Sequence, residues 1–190
     1  MLLKDWDYYE DSGGGVTFSG GEPLLQNSFL TACMGLLKET EIHTAIDSAL
    51  NVQWNIIKKV LPFTDLILID VKGVNPVNHF KNTSVKFDLI HENIQRLKGV
   101  QDSPTIHVRL PLIKGLNDDP DQLPELIELL SNWSALTRIE LLPYHNLGAE
   151  KSVQLVSDYS QDTYQPPPSK VLREFQTALE NAALPVMKSF

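Results

Sequence analysis

The sequence predicts an α/β fold in which parallel strands are joined by helices and curl into an open or partial barrel. Short β-rich runs alternate with helical patterns from one end of the chain to the other. The connections are long enough for the right-handed crossovers that parallel pairing requires. Five or six strand–helix units fit into 190 residues, whereas a closed eight-fold barrel takes about 250. A chain of this length buries one sizeable core, so residues 1–190 are read as a single domain.

The elements follow in order. Residues 16–19 (VTFS) form a short strand, and the turn GGEP leads into a helix near 27–39. On that helix Phe29, Leu30, Cys33, Leu36 and Leu37 fall at helical spacing, which makes Cys33 a small buried hydrophobe rather than a reactive thiol. Residues 42–47 (IHTAID) give a second strand, followed by a helix face of Trp54, Ile57, Val60 and Leu61. LILIDVK at 66–72 is apolar, rich in β-branched residues and short, as a buried strand should be. Phe87, Ile90, Ile94 and Leu97 then repeat at three and four, with Gly99 as the C-cap. Residues 105–113 (TIHVRLPLI) form the fourth strand. After the loop KGLNDDP, with Asp119 as N-cap and Pro120 at the first position, a helix carries Leu123, Leu126, Ile127 and Leu130 on its inner face. RIELLPY at 138–144 is the fifth strand. Residues 146–169 are polar, contain Pro166, Pro167 and Pro168 in a row, and read as an irregular loop. Ser169 caps a last helix carrying Leu172, Phe175 and Leu179, and VMKSF adds a final short strand.

Composition excludes several classes of function. The net charge is −8 and no block of lysines and arginines offers a track for phosphates, which argues against a nucleic-acid partner. No apolar run approaches the roughly 18 residues of a membrane span. The start MLLKDWDYYED lacks the basic-then-apolar order of a signal peptide, so a cytoplasmic protein is expected. One cysteine, Cys33, excludes internal disulfides and any cysteine-only metal site within one chain.

In parallel α/β folds, ligands gather where strands end. The second strand ends at Asp47-Ser48, the third at Asp70-Val71-Lys72 and the fifth at Tyr144-His145. Alternation puts Leu68, Asp70 and Lys72 on one face, and an acid and a base at the end of an apolar strand need partners or a ligand. One such strand end would be an ordinary structural ion pair; three with the same habit point to a binding site.

The first strand and its turn, SGGGVTFSGGEPLLQ, closely resemble the second strand and loop of the glycyl-radical-enzyme activating enzymes, the pyruvate formate-lyase activating type of radical S-adenosylmethionine (SAM) enzyme. GGEP alone is weak; flanked by GGGVTFS and LLQ it becomes specific. The likeness continues in order through HTAID, DLILIDVK, IHVRLPLIKGLNDD and IELLPYHNLG. It implies a partial (β/α)6 TIM-like barrel that binds SAM at its C-terminal mouth, with this chain starting near the end of the family's first helix and the first βα unit missing.

The same resemblance implies the site residues. Gly20, Gly21 and Glu22 of the GGEP loop meet the methionine part of SAM, and glycine lets a ligand approach the main chain. Asp47, Ser48, Asp70 and Val71 lie near the amino-acid moiety, Lys72 is a counterion for its carboxylate, Arg109 is an inward basic residue, and His145 stands beside the nucleoside. A monovalent cation is implied at Asp47, Ser48, Leu68 and Asp70. The family commonly continues its aspartate as Asp-Thr-x-Gly; here Asp47-Ser48-Ala49-Leu50 lacks the glycine, so that loop is expected to be reshaped.

The family's CxxxCxxC motif holds a [4Fe–4S] cluster that donates an electron to SAM, giving a 5′-deoxyadenosyl radical that takes a hydrogen atom from a glycine of the partner enzyme. Those cysteines have no counterpart here, so the cluster is not expected on this chain and no catalytic residue is assigned in it. The resemblance implies an activating oxidoreductase, a pyruvate formate-lyase-like glycyl-radical enzyme as partner, and flavodoxin or a similar protein as electron donor. The alternative is a short module that binds SAM or the partner without radical chemistry. Because the strand at 16–19 would pair with the family's first strand, its free side raises the further expectation of self-association through the N-terminal edge.

Overall fold

The structure, a computed structural model, describes residues 5–145 and 164–187. Five strands form one parallel sheet whose spatial order is their chain order. They are β1 (Gly15–Phe18), β2 (His43–Ser48), β3 (Leu66–Asp70), β4 (Thr105–Leu112) and β5 (Leu136–Pro143). Helix α1 (Trp6–Ser12) precedes β1, and α2 (Asn27–Glu39) and α3 (Trp54–Val60) make the next two crossovers. Helices α4 (Pro76–Thr83) and α5 (Phe87–Lys98) join β3 to β4, α6 (Leu123–Leu130) joins β4 to β5, and α7 (Ser169–Asn181) closes the order.

Period-two alternation gives the sheet its two faces. Ile67 and Ile69, Ile106, Val108 and Leu110, and Ile139 and Leu141 are buried in one continuous core with the helix residues Leu30, Met34, Ile57, Ile94, Leu97, Leu126, Leu130 and Phe175. Each such side chain contributes about 2 kcal/mol by leaving water. The intervening strand residues, Asp47, Asp70, His107, Arg109, Arg138 and Glu140, lie on the opposite, part-exposed face. At Gly15 a Cβ would stand 2.0 Å from the carbonyl oxygen of His43, so only glycine lets β1 pack this closely on β2.

Four expectations need correction. On α2 the buried stripe is Leu30, Met34 and Leu37, while Phe29 and Leu36 are each 65% exposed and Cys33 is half-buried. On α6, which begins at Leu123 after a 3₁₀ turn at Pro120–Gln122, Leu129 is buried as well, while Ile127 packs against the core only partly buried. Ser169 is the first helical residue of α7 rather than its cap, the cap position being Pro168. Helix α4 was not expected at all, although Asn75 caps it through Val77 and Asn78 N–H and Pro76 opens it.

Residues 164–168 are irregular, as expected; 146–163 lie outside the described residues. The expected last strand reduces to one parallel bridge between Val186 and Ile139, and residues 188–190 of VMKSF also lie outside. No described helix is long and apolar enough to cross a membrane. Strand β1 pairs only with β2 among the described residues, and Tyr9 of α1 packs with Val16, Leu37 and Ile42 in a small satellite cluster.

Candidate functional site

Arg109 organises the ends of three neighbouring strands. Register sets Asp70 beside Arg109 and Arg109 beside Glu140. From β4 the guanidinium donates from Nε to Asp70 at 2.8 Å and from Nη2 to Asp47 at 2.5 Å, so one planar fork joins β2, β3 and β4. All three side chains are about a quarter exposed. Burial alone would favour release of the Arg109 proton, but the hydrogen bond to Asp47 and the charges of Asp70 and Asp47 hold its pKa above the ordinary value.

Lys72 is placed differently. Its Nζ is 4.0 Å from Asp70 Oδ2 and its side chain is 46% exposed, so the ammonium stays open to solvent at the mouth. Gly20, at φ +137°, and Gly21 have open space where a Cβ would stand, which leaves bare main chain at the end of β1. His145 is exposed at the end of β5, next to Tyr144, whose N–H bonds Leu112 O at 2.9 Å and whose ring meets Tyr164 edge-on.

Other expected site residues turn inward. Glu22 accepts from Leu24 N–H at 3.2 Å, from Ser48 Oγ at 2.8 Å and from Ala49 N–H at 3.2 Å, so its carboxylate ties the GGEP loop to the end of β2. The buried Ser48 hydroxyl also accepts from Leu50 N–H at 2.9 Å. Val71 is buried and its N–H donates to Arg109 O, so it could meet a ligand only through its carbonyl. Leu68 lies in register with Asp47 and His107 but adds no polar side chain. Between Asp47 and Asp70, where a monovalent cation was expected, the guanidinium of Arg109 already meets both carboxylates. Among the described residues no group of three or more His, Cys, Asp or Glu is arranged to hold a metal ion.

Sequence reasoning missed two supports. The polar face continues through His107, Arg138 and Glu140, legible as polar residues at every second place of β4 and β5. Arg138 Nε lies 2.6 Å from Glu140 Oε1, an ion pair whose N–H is not aligned as a hydrogen bond. Burial first, then Arg138, lowers the pKa of His107 against the opposing pull of Glu140. The second support is Asn93, which is fully buried on α5 and donates to the carbonyls of Leu50 (2.8 Å) and Val52 (2.7 Å). It holds a loop in which Leu50 adopts φ +60°, the left-handed conformation that glycine takes most easily. No signal in one sequence marks a helix asparagine for this role.

No family model matches the chain. Individual proteins do. Over 195 residues it is 33% identical to the pyruvate formate-lyase-activating enzyme of Staphylococcus epidermidis, covering 97% of this chain and 76% of that protein. Over 160 residues it is 38% identical to the (2S)-3-sulfopropanediol dehydratase activating enzyme of Klebsiella oxytoca, covering 83% of this chain and 50% of the relative. Its structure matches that of a domain of the pyruvate-formate lyase-activating enzyme from Bacteroides vulgatus with a TM-score of 0.76 at 31% identity, covering 92% of this chain and 98% of that one. Against most of the curated relatives it matches, the chain spans about half their length.

Proposed function

The chain belongs to the family of glycyl-radical-enzyme activating enzymes, and on that premise we propose that its strand-end site binds SAM within an enzyme that generates a glycyl radical on a partner polypeptide. The observation that carries the reading is the division of labour around Arg109. The guanidinium neutralises Asp47 and Asp70 on the sheet face, which leaves the Lys72 ammonium with only a loose 4.0 Å ion pair to Asp70 and open to solvent at the mouth. At the end of β1, Gly20 and Gly21 offer main chain without side chains in the way.

In this arrangement Lys72 receives the carboxylate of the methionine moiety, the Gly20–Gly21 main chain lies along it, and His145 stands at the nucleoside end. Glu22, Ser48 and Asn93 act behind the site by fixing the loops that carry it. A monovalent cation at Asp47, Ser48, Leu68 and Asp70 belongs to the same proposal and would have to share the carboxylates with Arg109. SAM supplies one-electron chemistry when a reduced [4Fe–4S] cluster lies beside it; the part of these residues is to seat and orient SAM. The cluster itself does not fit them, since one cysteine cannot supply three thiolates. We propose a pyruvate formate-lyase-like glycyl-radical enzyme as partner, on the strength of the relative that bears that name, and a flavodoxin-like electron donor, on the family resemblance alone.

The second reading is a module that binds SAM or the partner without radical chemistry. Two measurements test the site. Calorimetry with S-adenosylhomocysteine should show binding that Lys72→Ala weakens by about tenfold or more, the loss of one charged hydrogen bond; equal affinity in the two proteins removes Lys72 from the site. Anaerobic iron–sulfide reconstitution of these 190 residues should leave no cluster, and about four irons per monomer would overturn the second reading.

A further inference from the structure

Strand β3 leaves the sheet at a defined point, and its neighbour dictates where. The last rung between β3 and β4 runs from Val71 N–H to Arg109 O at 2.9 Å. In a parallel ladder the next rung would run from the N–H of residue 111 to the carbonyl of Val71. That residue is Pro111, which has no N–H to give. Just past Lys72, Gly73 takes φ +129°, a conformation that residues with a side chain rarely adopt, and the chain turns away from β4.

Strand β4 runs on to Leu112, still paired with β5. Its Arg109 carbonyl faces β3, so two residues on the Pro111 carbonyl faces the side that β3 has vacated. Had β3 continued, the N–H of residue 73 would bond Pro111 O, and its carbonyl would take Ile113 N–H. Asn117, in the loop between β4 and α6, does both. Its Nδ2 donates to Pro111 O at 2.6 Å, and its Oδ1 accepts from Ile113 N–H at 2.8 Å. The same Nδ2 donates to Lys72 O at 3.2 Å, and Gln122 Nε2 donates to the Asn117 carbonyl. One side-chain amide stands in for the peptide that β3 withdraws, and ties that strand at the residue where it departs. A carboxylate there would accept from Ile113 but donate to neither carbonyl.

Lys72 needs such support. Its ammonium has only a 4.0 Å ion pair and its side chain is 46% exposed, so the far end does not fix it. Its main chain is fixed instead, by the Val71 N–H before it and by Asn117 at its own carbonyl. We propose that Asn117 is a positioning residue of the strand-end site: it sets the point at which Lys72 leaves the sheet, and so the place where the ammonium meets a ligand carboxylate. This role rests on the reading of Lys72 given above; the clasp that Asn117 makes on β4 does not.

Two measurements on the 190-residue chain test the clasp and the role separately. In hydrogen exchange the Ile113 amide should be protected, and Asn117→Ala should speed its exchange by about tenfold or more, as loss of a hydrogen bond does. Rapid exchange of Ile113 in the unaltered chain overturns the clasp, however well the variant folds. For the role, S-adenosylhomocysteine affinity is compared in the unaltered chain, Asn117→Ala, Lys72→Ala and the double variant. Asn117→Ala should weaken binding by about fivefold or more, and should weaken it no further once Lys72 is replaced. Unchanged affinity in Asn117→Ala, or losses that multiply in the double variant, would mean that Asn117 supports the fold alone and overturn the role. In the unaltered chain the Asn117 side-chain amide should also shift saturably in an NMR titration with S-adenosylhomocysteine, and a static signal at saturation overturns the role without recourse to a variant. If the unaltered chain does not bind S-adenosylhomocysteine, the strand-end reading falls and the role falls with it, while the exchange result still decides the clasp.

Discussion

At Leu50 the backbone and the side chain pull in opposite directions, and the balance can be measured. The residue holds φ +60°, with its N–H on Ser48 Oγ and its carbonyl on Asn93 Nδ2, yet its side chain is 1% exposed within the main core. Holding a non-glycine residue there costs roughly 1–2 kcal/mol. Removing a buried leucine side chain costs about 2–5 kcal/mol. Leu50→Ala keeps the backbone cost and makes the cavity. Leu50→Gly relieves the backbone but loses one more buried carbon, about 0.8 kcal/mol, and carries glycine's extra unfolded-state entropy, about 0.5–1 kcal/mol. These terms nearly cancel, so the two variants should both be destabilised by about 2–5 kcal/mol and agree to within about 0.5 kcal/mol. At Leu110, equally buried in β4 and outside the left-handed region, no relief is available, and glycine should be worse than alanine by about 1.5 kcal/mol. Urea denaturation of the four variants reads this from the midpoints at constant slope. If glycine is worse than alanine by the same margin at both positions, the backbone strain at Leu50 is not there and the argument fails.

Three further outcomes are expected. Asp65→Ala should cost about 1–3 kcal/mol, because fully buried Thr44 loses the 2.8 Å acceptor of its N–H. Burial opposes ionisation of Asp65, but Lys38 and Thr44 hold its carboxyl below the ordinary 3.8, so its contribution is complete above that pH and lost as pH falls through the lower folded value; urea midpoints across that range should fall more steeply in the parent than in the variant. His107 is displaced below 6.5 by burial and Arg138, so the unfolded chain binds the proton more tightly and stability rises with pH through that window. His107→Gln should flatten the rise between about pH 5 and 7, and an unchanged slope means the ring is not held neutral by the fold. Finally, the side of β1 that pairs with no strand among the described residues should support self-association of these 190 residues at micromolar concentration by sedimentation equilibrium; a clean monomer with protected amides at 15–18 would show the edge to be shielded.

The strands were legible because a buried parallel strand is a short apolar run, and LILID is one. Their limits were legible only to a residue or two, since pairing rather than composition ends them. Helix α4 was hidden for the reason that makes it interesting. With His79 buried and Val77 and Phe80 exposed, its pattern contradicts the rule used to find helices. Of the strand-end residues, Asp47, Asp70 and Arg109 meet across the sheet. Which partner each would choose depended on register, and a sequence does not print register. Glu22 and Ser48 read as ligand groups, yet they bond to each other across loops far apart in the chain. Leu50 in place of the family's glycine read as a reshaped loop; Ser48 and Asn93 hold this leucine in the left-handed conformation that glycine takes most easily.

Among the described residues the five strands keep the order in which they are made, and within the sheet each pairs with its neighbours in the chain. No finished pair has to open to admit a later strand. A ribosome delivering this polypeptide supplies each strand just after the edge that receives it, so the sheet can grow behind the exit tunnel one unit at a time. The strand ends that carry Asp47, Asp70 and Arg109 are completed in that same sequence. The charged cluster closes only when β4 emerges, by which time both carboxylates are already waiting for the guanidinium.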